Sequence, residues 1–245
     1  TFDMPNVDPN TTTIDLLRER NLLGANKSWT NYSYYFGATE TNLEEIKKLN
    51  PKETCGLKVF MGTSTGTLLV EDDFALEQIF QFCPVTIVTH CEDNETIKNN
   101  SDKVNLQNQT LDASFHPIIR DDLCCYKSSS KVIDLAKKYS SDLHVLHLTT
   151  EKEIKLFENI DLKNKKITCE VCVHHLWFDE SDYERLGNFI VCNPAIKKAS
   201  DRNALRKALK DGFIDYVATD HAPHSYEDKK LPYGKAPAGI PLIEH

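Results

Sequence analysis

Residues 56–90 read GLKVFMGTSTGTLLVEDDFALEQIFQFCPVTIVTH, and this stretch decides the fold class. An apolar, β-branched run at 56–60 gives way to a helical pattern over 72–82, and a second apolar run follows at 85–89. Strand, helix, strand at this spacing is the signature of a parallel crossover. The same alternation repeats outward in both directions. Strands are predicted at 1–4, 32–36, 56–60, 85–89, 143–148, 166–173 and 216–218, with helices at 12–23, 43–50, 72–82, 128–140, 150–159, 181–187 and 200–212. Such an uninterrupted series predicts an α/β fold, a (β/α)8 TIM-like barrel in preference to an open doubly wound sheet, which usually splits into halves. Thr150 with Glu153 and Ser181 with Glu184 match capping boxes, and Gly24 and Gly212 stand where helices should stop. The Asn-rich stretch 94–109 reads as an excursion over the surface. The series is one strand short of eight and opens on Thr1 rather than Met. The expectation is therefore a single domain over residues 1–245, truncated at both ends, with the first strand and terminal elements missing.

Composition narrows the function. With 29 basic and 37 acidic residues the net charge is -8, which argues against nucleic acid, since phosphate binding needs clustered Lys and Arg. The lysine doublets at 47–48, 165–166, 197–198 and 229–230 are scattered among acids. No run approaches a membrane span and no basic-then-apolar leader opens the chain, so a soluble, cytoplasmic protein without a membrane partner is expected. The 8 cysteines mostly sit in apolar runs and read as reduced, buried thiols. Cys169 and Cys172 lie three apart in a predicted strand, so their sulfurs point to opposite faces and cannot share a metal. Neither G-x-G-x-x-G after an early strand nor G-x-x-x-x-G-K occurs, which removes nucleotide cradling.

In a barrel the chemistry collects at the C-terminal ends of the strands. All of the histidines except His116 and His245 fall at such ends. Lys58 interrupts Leu57-Lys58-Val59-Phe60, where alternate positions should be buried, and an interior ammonium is expensive to desolvate. Either this lysine snorkels to the strand end, or its amine is carboxylated by CO2 to an anion that can bridge two divalent cations. His90 and His147 each cap a β run, where neutral imidazole suits zinc. His144 and His147 have opposite strand parity, and His147, nearer the C-terminal end, is the one expected to face inward. His174 and His175 could offer one ligand, but they lie past their strand in a Leu-Trp-Phe context and are expected at the rim. Asp220 emerges from Val217-Ala218-Thr219 into Asp-His-Ala-Pro-His, either as a helix cap or as a functional loop carboxylate.

These residues together resemble the dihydroorotases among the cyclic amidohydrolases. The resemblance is carried, in order, by Asp3-Met4-Pro5-Asn6, by Gly56-Leu57-Lys58-Val59-Phe60-Met61-Gly62 with Ser64-Thr65-Gly66, and by His90-Cys91-Glu92-Asp93. It continues through His147-Leu148-Thr149-Thr150, Thr168-Cys169-Glu170-Val171 ahead of His174-His175-Leu176, Asn193-Pro194, and Ala218-Thr219-Asp220-His221-Ala222-Pro223-His224. It implies two zinc ions bridged by carboxylated Lys58, with His90 and His147 as ligands to one and Asp220 as ligand to the other and general base. Asn6, Asn193 and His224, with the backbone of Ala238 and Gly239 on a closing loop, would bind the substrate. The reaction implied is the reversible cyclisation of N-carbamoyl-L-aspartate to L-dihydroorotate in pyrimidine biosynthesis, and the resemblance allows a homodimer.

The sequence departs from the family at one serious point. It contains no His-x-His pair, which in the family ends the first strand and is followed closely by an arginine for the substrate carboxylate. Without that pair one zinc is poorly held, so this polypeptide by itself is expected to have little or no activity. The run Asn193-Pro194-Ala195-Ile196-Lys197 also lacks a second proline and an arginine usual in the family. A hydantoinase- or allantoinase-like cyclic amidase matches the two end signatures less well. A catalytically inactive dihydroorotase-like scaffold would account for the missing pair but not for keeping Lys58, His90, His147 and Asp220 together.

Overall fold

A computed structural model describes residues 1–62, 68–107 and 110–243. Ser64, Thr65, Gly66, Gln109 and His245 lie outside the described residues. The chain divides into two compact units, Thr1–His90 with Lys131–His144, and Cys91–Ser130 with Val145–His245.

The first unit runs β1 (Phe2–Asp3), α1 (Ile14–Lys27), β2 (Ser33–Gly37), α2 (Leu43–Ile46), β3 (Gly56–Phe60), α3 (Asp73–Phe82) and β4 (Ile87–His90). The four strands pair in parallel in chain order. Every residue of β3 and β4 is buried, as in a parallel sheet covered on both faces. Leu57 and Val59 share one face of β3, and Lys58 and Phe60 the other. The helices start where the sequence supplies acceptors: Thr13 accepts from the Leu16 amide, and Asp72 from that of Ala75 at 2.7 Å. Both satisfy donors that a first helical turn leaves open. Lys131 and Lys138 ion-pair with Asp73 and Glu77 of α3.

The second unit contains α4 (Asn94–Gln107), α5 (His116–Ile119) and the first part of α6 (Asp122–Tyr139). After β5 (Leu143–Val145), at whose last residue this unit resumes, come α7 (Glu151–Ile154), β6 (Ile167–Cys172), α8 (Val173–Trp177), α9 (Asp182–Leu186), α10 (Ala199–Asp211), β7 (Tyr216–Ala218) and α11 (Tyr226–Lys229). β6 and β7 pair in parallel with Cys172 opposite Ala218, and beyond β7 His221 bridges Ile240, also in parallel. Tyr183, Ile190, Val191, Cys192, Ile196, Ile240 and Leu242 form a buried apolar cluster. The cap at α7 is the one expected: Thr150 Oγ1 accepts from the Glu153 amide at 3.2 Å and donates to the Glu153 carboxylate at 2.8 Å. Gly212 ends α10 at φ +85, a conformation open to glycine.

Several local expectations need correction. Gly24 does not stop α1, which continues to Lys27. It is buried where a Cβ would come 2.3 Å from Cε2 of Tyr32, so its smallness admits a tyrosine ring. Ser181 makes no capping bond at α9. Its backbone is helical, φ -70 and ψ -22, not extended as in a capping residue, and its hydroxyl and amide both donate to Asp179, at 2.6 and 3.0 Å. Stretch 94–107 is a helix with only Thr96 and Val104 buried. A helix polar nearly all round carries no apolar stripe to betray it. The helices expected at 43–50 and 150–159 end early, at Ile46 and Ile154.

Candidate metal and substrate site

The first unit places Lys58 and His90 on one face of the sheet. Lys58 is opposite Val88 and Phe60 is opposite His90, so alternation directs Lys58, Phe60, Val88 and His90 to the same side. Lys58 and His90 are each 2 % exposed. The Phe60 ring neighbours both, its centroid 4.5 Å from Lys58 Nζ and 6.2 Å from the centre of the His90 ring. Asn6 lies half-buried in the turn that follows β1, beside Pro5, whose carbonyl accepts from the Thr11 amide at 2.9 Å.

The second unit carries His147 and Asp220, both at positive φ, +38 and +46. The strand expected over 143–148 stops at Val145, so parity along a regular strand does not aim His147. The backbone turns there instead, and His147 is buried while His144 is half-buried. The chain then rejoins the sheet direction through Leu148, whose amide donates to Glu170 O at 2.8 Å. Asp220 is half-buried two residues past β7, and its charge is one of the influences raising the pKa of the buried Cys192 thiol after burial itself. Positive φ at non-glycine residues is uncommon and clusters at functional sites.

The residues expected to hold substrate in this unit lie along one short network. His224 Nε2 donates to Ala238 O at 2.9 Å, and Gly239 N donates to Val191 O at 2.9 Å. A Cβ on Gly239 would sit 2.5 Å from Ala222 O and 2.9 Å from His224 Nε2, and its φ is +136. Asn193, joined to Pro194 by a cis peptide, accepts from His116 Nε2 at 3.1 Å.

Sequence reasoning passed over three residues here. His116 Nε2 also donates to Cys192 O, and its Nδ1 accepts from the Tyr233 hydroxyl, each at 2.9 Å. Burial, then the nearby Arg120 charge, brings its pKa down to about 4, so it positions Asn193 as a neutral imidazole. Lys229 donates to Val191 O, Pro237 O and Gly239 O at 3.3, 2.9 and 3.0 Å, tying the 237–239 loop to the Val191 segment. Lys197 is buried, with Nζ 3.2 Å from Thr149 Oγ1 and from Ala195 O and 3.5 Å from Cys125 Sγ. Burial alone would lower its pKa; the neighbouring Cys125 and Cys124, then Glu92 and Glu153, more than offset this. Glu92 in turn pairs with Arg120. Their partners lie up to 117 residues away in sequence, and no local pattern announces them.

His174 and His175 are not rim residues. They are 2 % and 3 % exposed and are the buried residues of α8, which starts directly after β6.

No family model matches the chain. Among curated proteins, a dihydroorotase of Methanosarcina mazei is 31 % identical over 253 aligned residues, covering 99 % of this chain and 54 % of the relative. The chain is a relative of the dihydroorotases. A second dihydroorotase, from Methanosphaera stadtmanae, is 28 % identical over 99 % of the chain and 54 % of its own length. The chain thus spans about half the length of the dihydroorotases it matches. Among solved structures, the L-hydantoinase of Arthrobacter aurescens superposes with a TM-score of 0.87 at 24 % identity, over 97 % of this chain and 54 % of that one. A Saccharomyces cerevisiae dihydroorotase in complex with 5-fluoroorotic acid gives 0.71 at 20 % identity, over 98 % and 66 %. These likenesses show the fold, the α/β alternation read from the sequence.

Proposed function

We propose that the protein is a metal-dependent cyclic amide hydrolase of dihydroorotase type, interconverting N-carbamoyl-L-aspartate and L-dihydroorotate in pyrimidine biosynthesis. The observation that carries this reading is Lys58, a lysine buried inside a fully covered strand on the same sheet face as the buried His90, within a chain related to dihydroorotases over nearly its whole length. An amine and an imidazole so placed, with a buried His147 and a strand-end Asp220, are donors of the kind that hold zinc. Lys58, once carboxylated, would bridge two cations, with His90, His147 and Asp220 completing the ligands this chain offers. The cations would supply Lewis acidity at the ring amide carbonyl. Asp220 would take the proton from the attacking water and deliver it to the ring nitrogen as the amide opens. Asn193, held by His116, and His224, held by Ala238, would orient the substrate's carboxylate and amide. Asn6 and the Ala238–Gly239 backbone would complete the contacts.

The test is hydrolysis of dihydroorotate by zinc-supplemented protein, run beside hydantoin and allantoin. The chain has no His-x-His, so turnover well below that of a complete dihydroorotase is expected, with dihydroorotate preferred. Preference for hydantoin or allantoin would move the assignment to those enzymes, and tight dihydroorotate binding without any turnover would favour the inactive scaffold. Native mass spectrometry should find CO2 on Lys58, and Lys58→Ala should lower zinc content; unchanged zinc in that variant would refute the ligand set.

A further inference from the structure

Three histidine nitrogens at the end of β6 have no hydrogen-bond partner. Both ring nitrogens of His174 and Nδ1 of His175 are buried and unsatisfied. Buried polar atoms in folded proteins are almost always paired, and an exception calls for a bound water or ion. The two rings lie 4.1 Å apart, centre to centre. Cys172, the last residue of β6, is fully buried beside them. One ligand atom from each of Cys172, His174 and His175 falls within 4.8 Å of the others.

We propose that Cys172, His174 and His175 form a zinc site of their own, distinct from the Lys58 ligand set. The orientation of His175 supports this. Its Nε2 donates to Pro194 O at 3.0 Å, which leaves the lone pair on Nδ1. An imidazole that gives one N–H to a backbone carbonyl and turns the other nitrogen inward has the outer-shell arrangement of a metal ligand. Zinc–nitrogen and zinc–sulfur bonds of about 2.0–2.3 Å require the three donors to close by roughly 1 Å, within reach of side-chain rotation. Thiolate and imidazole together favour zinc over the hard cations, and three protein ligands leave one position for water. Both histidines are held neutral by burial, so neither must lose a proton to bind.

The other candidate in this unit, Glu92 with Cys124 and Cys125, is already supplied with positive charge. Arg120 pairs with Glu92, and Lys197 Nζ donates to Cys125 Sγ at 3.5 Å. A cation there would meet two others. In the Cys172 cluster burial alone lowers the His174 pKa, and Lys197 bears on His175 only as the least of its influences, after burial, His174 and the Pro194 carbonyl.

Cobalt(II) reads this site apart from the proposed catalytic one. Lys58, His90, His147 and Asp220 offer no sulfur, so a thiolate-to-cobalt charge-transfer band can arise only from a cysteine ligand. Metal-stripped, reduced protein titrated with Co2+ should develop that band, and Zn2+ should remove it. The band should be lost in Cys172→Ser and in Cys172→Ala, strongly reduced in His174→Asn, and retained in Lys58→Ala, with circular dichroism confirming that each variant is folded. Absence of the band in the parent protein, or its survival in folded Cys172→Ser or Cys172→Ala, overturns the proposal and leaves a buried water as the partner of these nitrogens. Neither outcome depends on whether dihydroorotate is turned over.

Discussion

At Gly239 a single added carbon decides whether the 237–239 loop can stay where it is. The site combines φ +136 with a backbone carbonyl 2.5 Å from any Cβ, so Gly239→Ala suffers both strain and collision. A loss of about 2 kcal/mol or more is expected, read as a fall in the urea midpoint. Gly234, at φ +83 with nothing within 4 Å, is the control: Gly234→Ala meets strain alone and should cost about 1 kcal/mol. Equal losses at the two positions would show that the contact with Ala222 is unimportant. Lys229→Met removes the shared donor of three carbonyls. Leaving buried acceptors unmet costs roughly 1–3 kcal/mol, and amide exchange should quicken at Ala238 and Gly239 before elsewhere. Among single residues, Lys58 was legible in the sequence because a charge inside an apolar strand violates the local rule. His116 and Lys229 were not, since what they bind becomes a neighbour only after folding.

Elements were legible wherever one face is apolar or a cap is written into the chain. β3 and β7 match their expected limits residue for residue, and Thr150 caps α7 as its spacing with Glu153 foretold, although the Glu153 carboxylate accepts from the Thr150 hydroxyl and not from its amide. Thr150→Ala should therefore cost about 1 kcal/mol, whereas Ser181→Ala should leave α9 untouched, since Asp179 takes that hydroxyl. Comparable losses from both would mean that the α7 cap has no special weight. α4 escaped because its polar surface has no period, and β5 was drawn too long because periodicity cannot see the backbone turn at His147. Both misses share a cause: apolar patterning records burial, not backbone path.

For the molecule as a whole, acid is the sharpest probe. His116 is buried with a pKa brought down to about 4 from the ordinary 6.5. The unfolded chain then binds a proton between these values that the folded chain refuses, so stability is full above about pH 6.5 and declines as pH falls towards 4. One such histidine contributes roughly 3 kcal/mol over that window, and His174 and His175, also shifted down by burial, act in the same direction. Urea midpoints measured between pH 7 and 4 should fall steeply, and a flat profile would show that these rings titrate freely. Zinc should stabilise the fold by about 2.7 kcal/mol when the free ion stands at 100 times its dissociation constant, read as a higher thermal midpoint that a chelator reverses.

The distribution of thiols adds a use of a different kind. None of the cysteines is in a disulfide. Cys55 and Cys83 lie in the first unit, while Cys91, Cys124, Cys125, Cys169, Cys172 and Cys192 all lie in the second, every one of them buried. The native protein should therefore be slow to alkylate, and each half carries its own set of chemical clocks. Timed labelling followed by peptide mapping would tell which half breathes first and how often, without introducing a foreign probe.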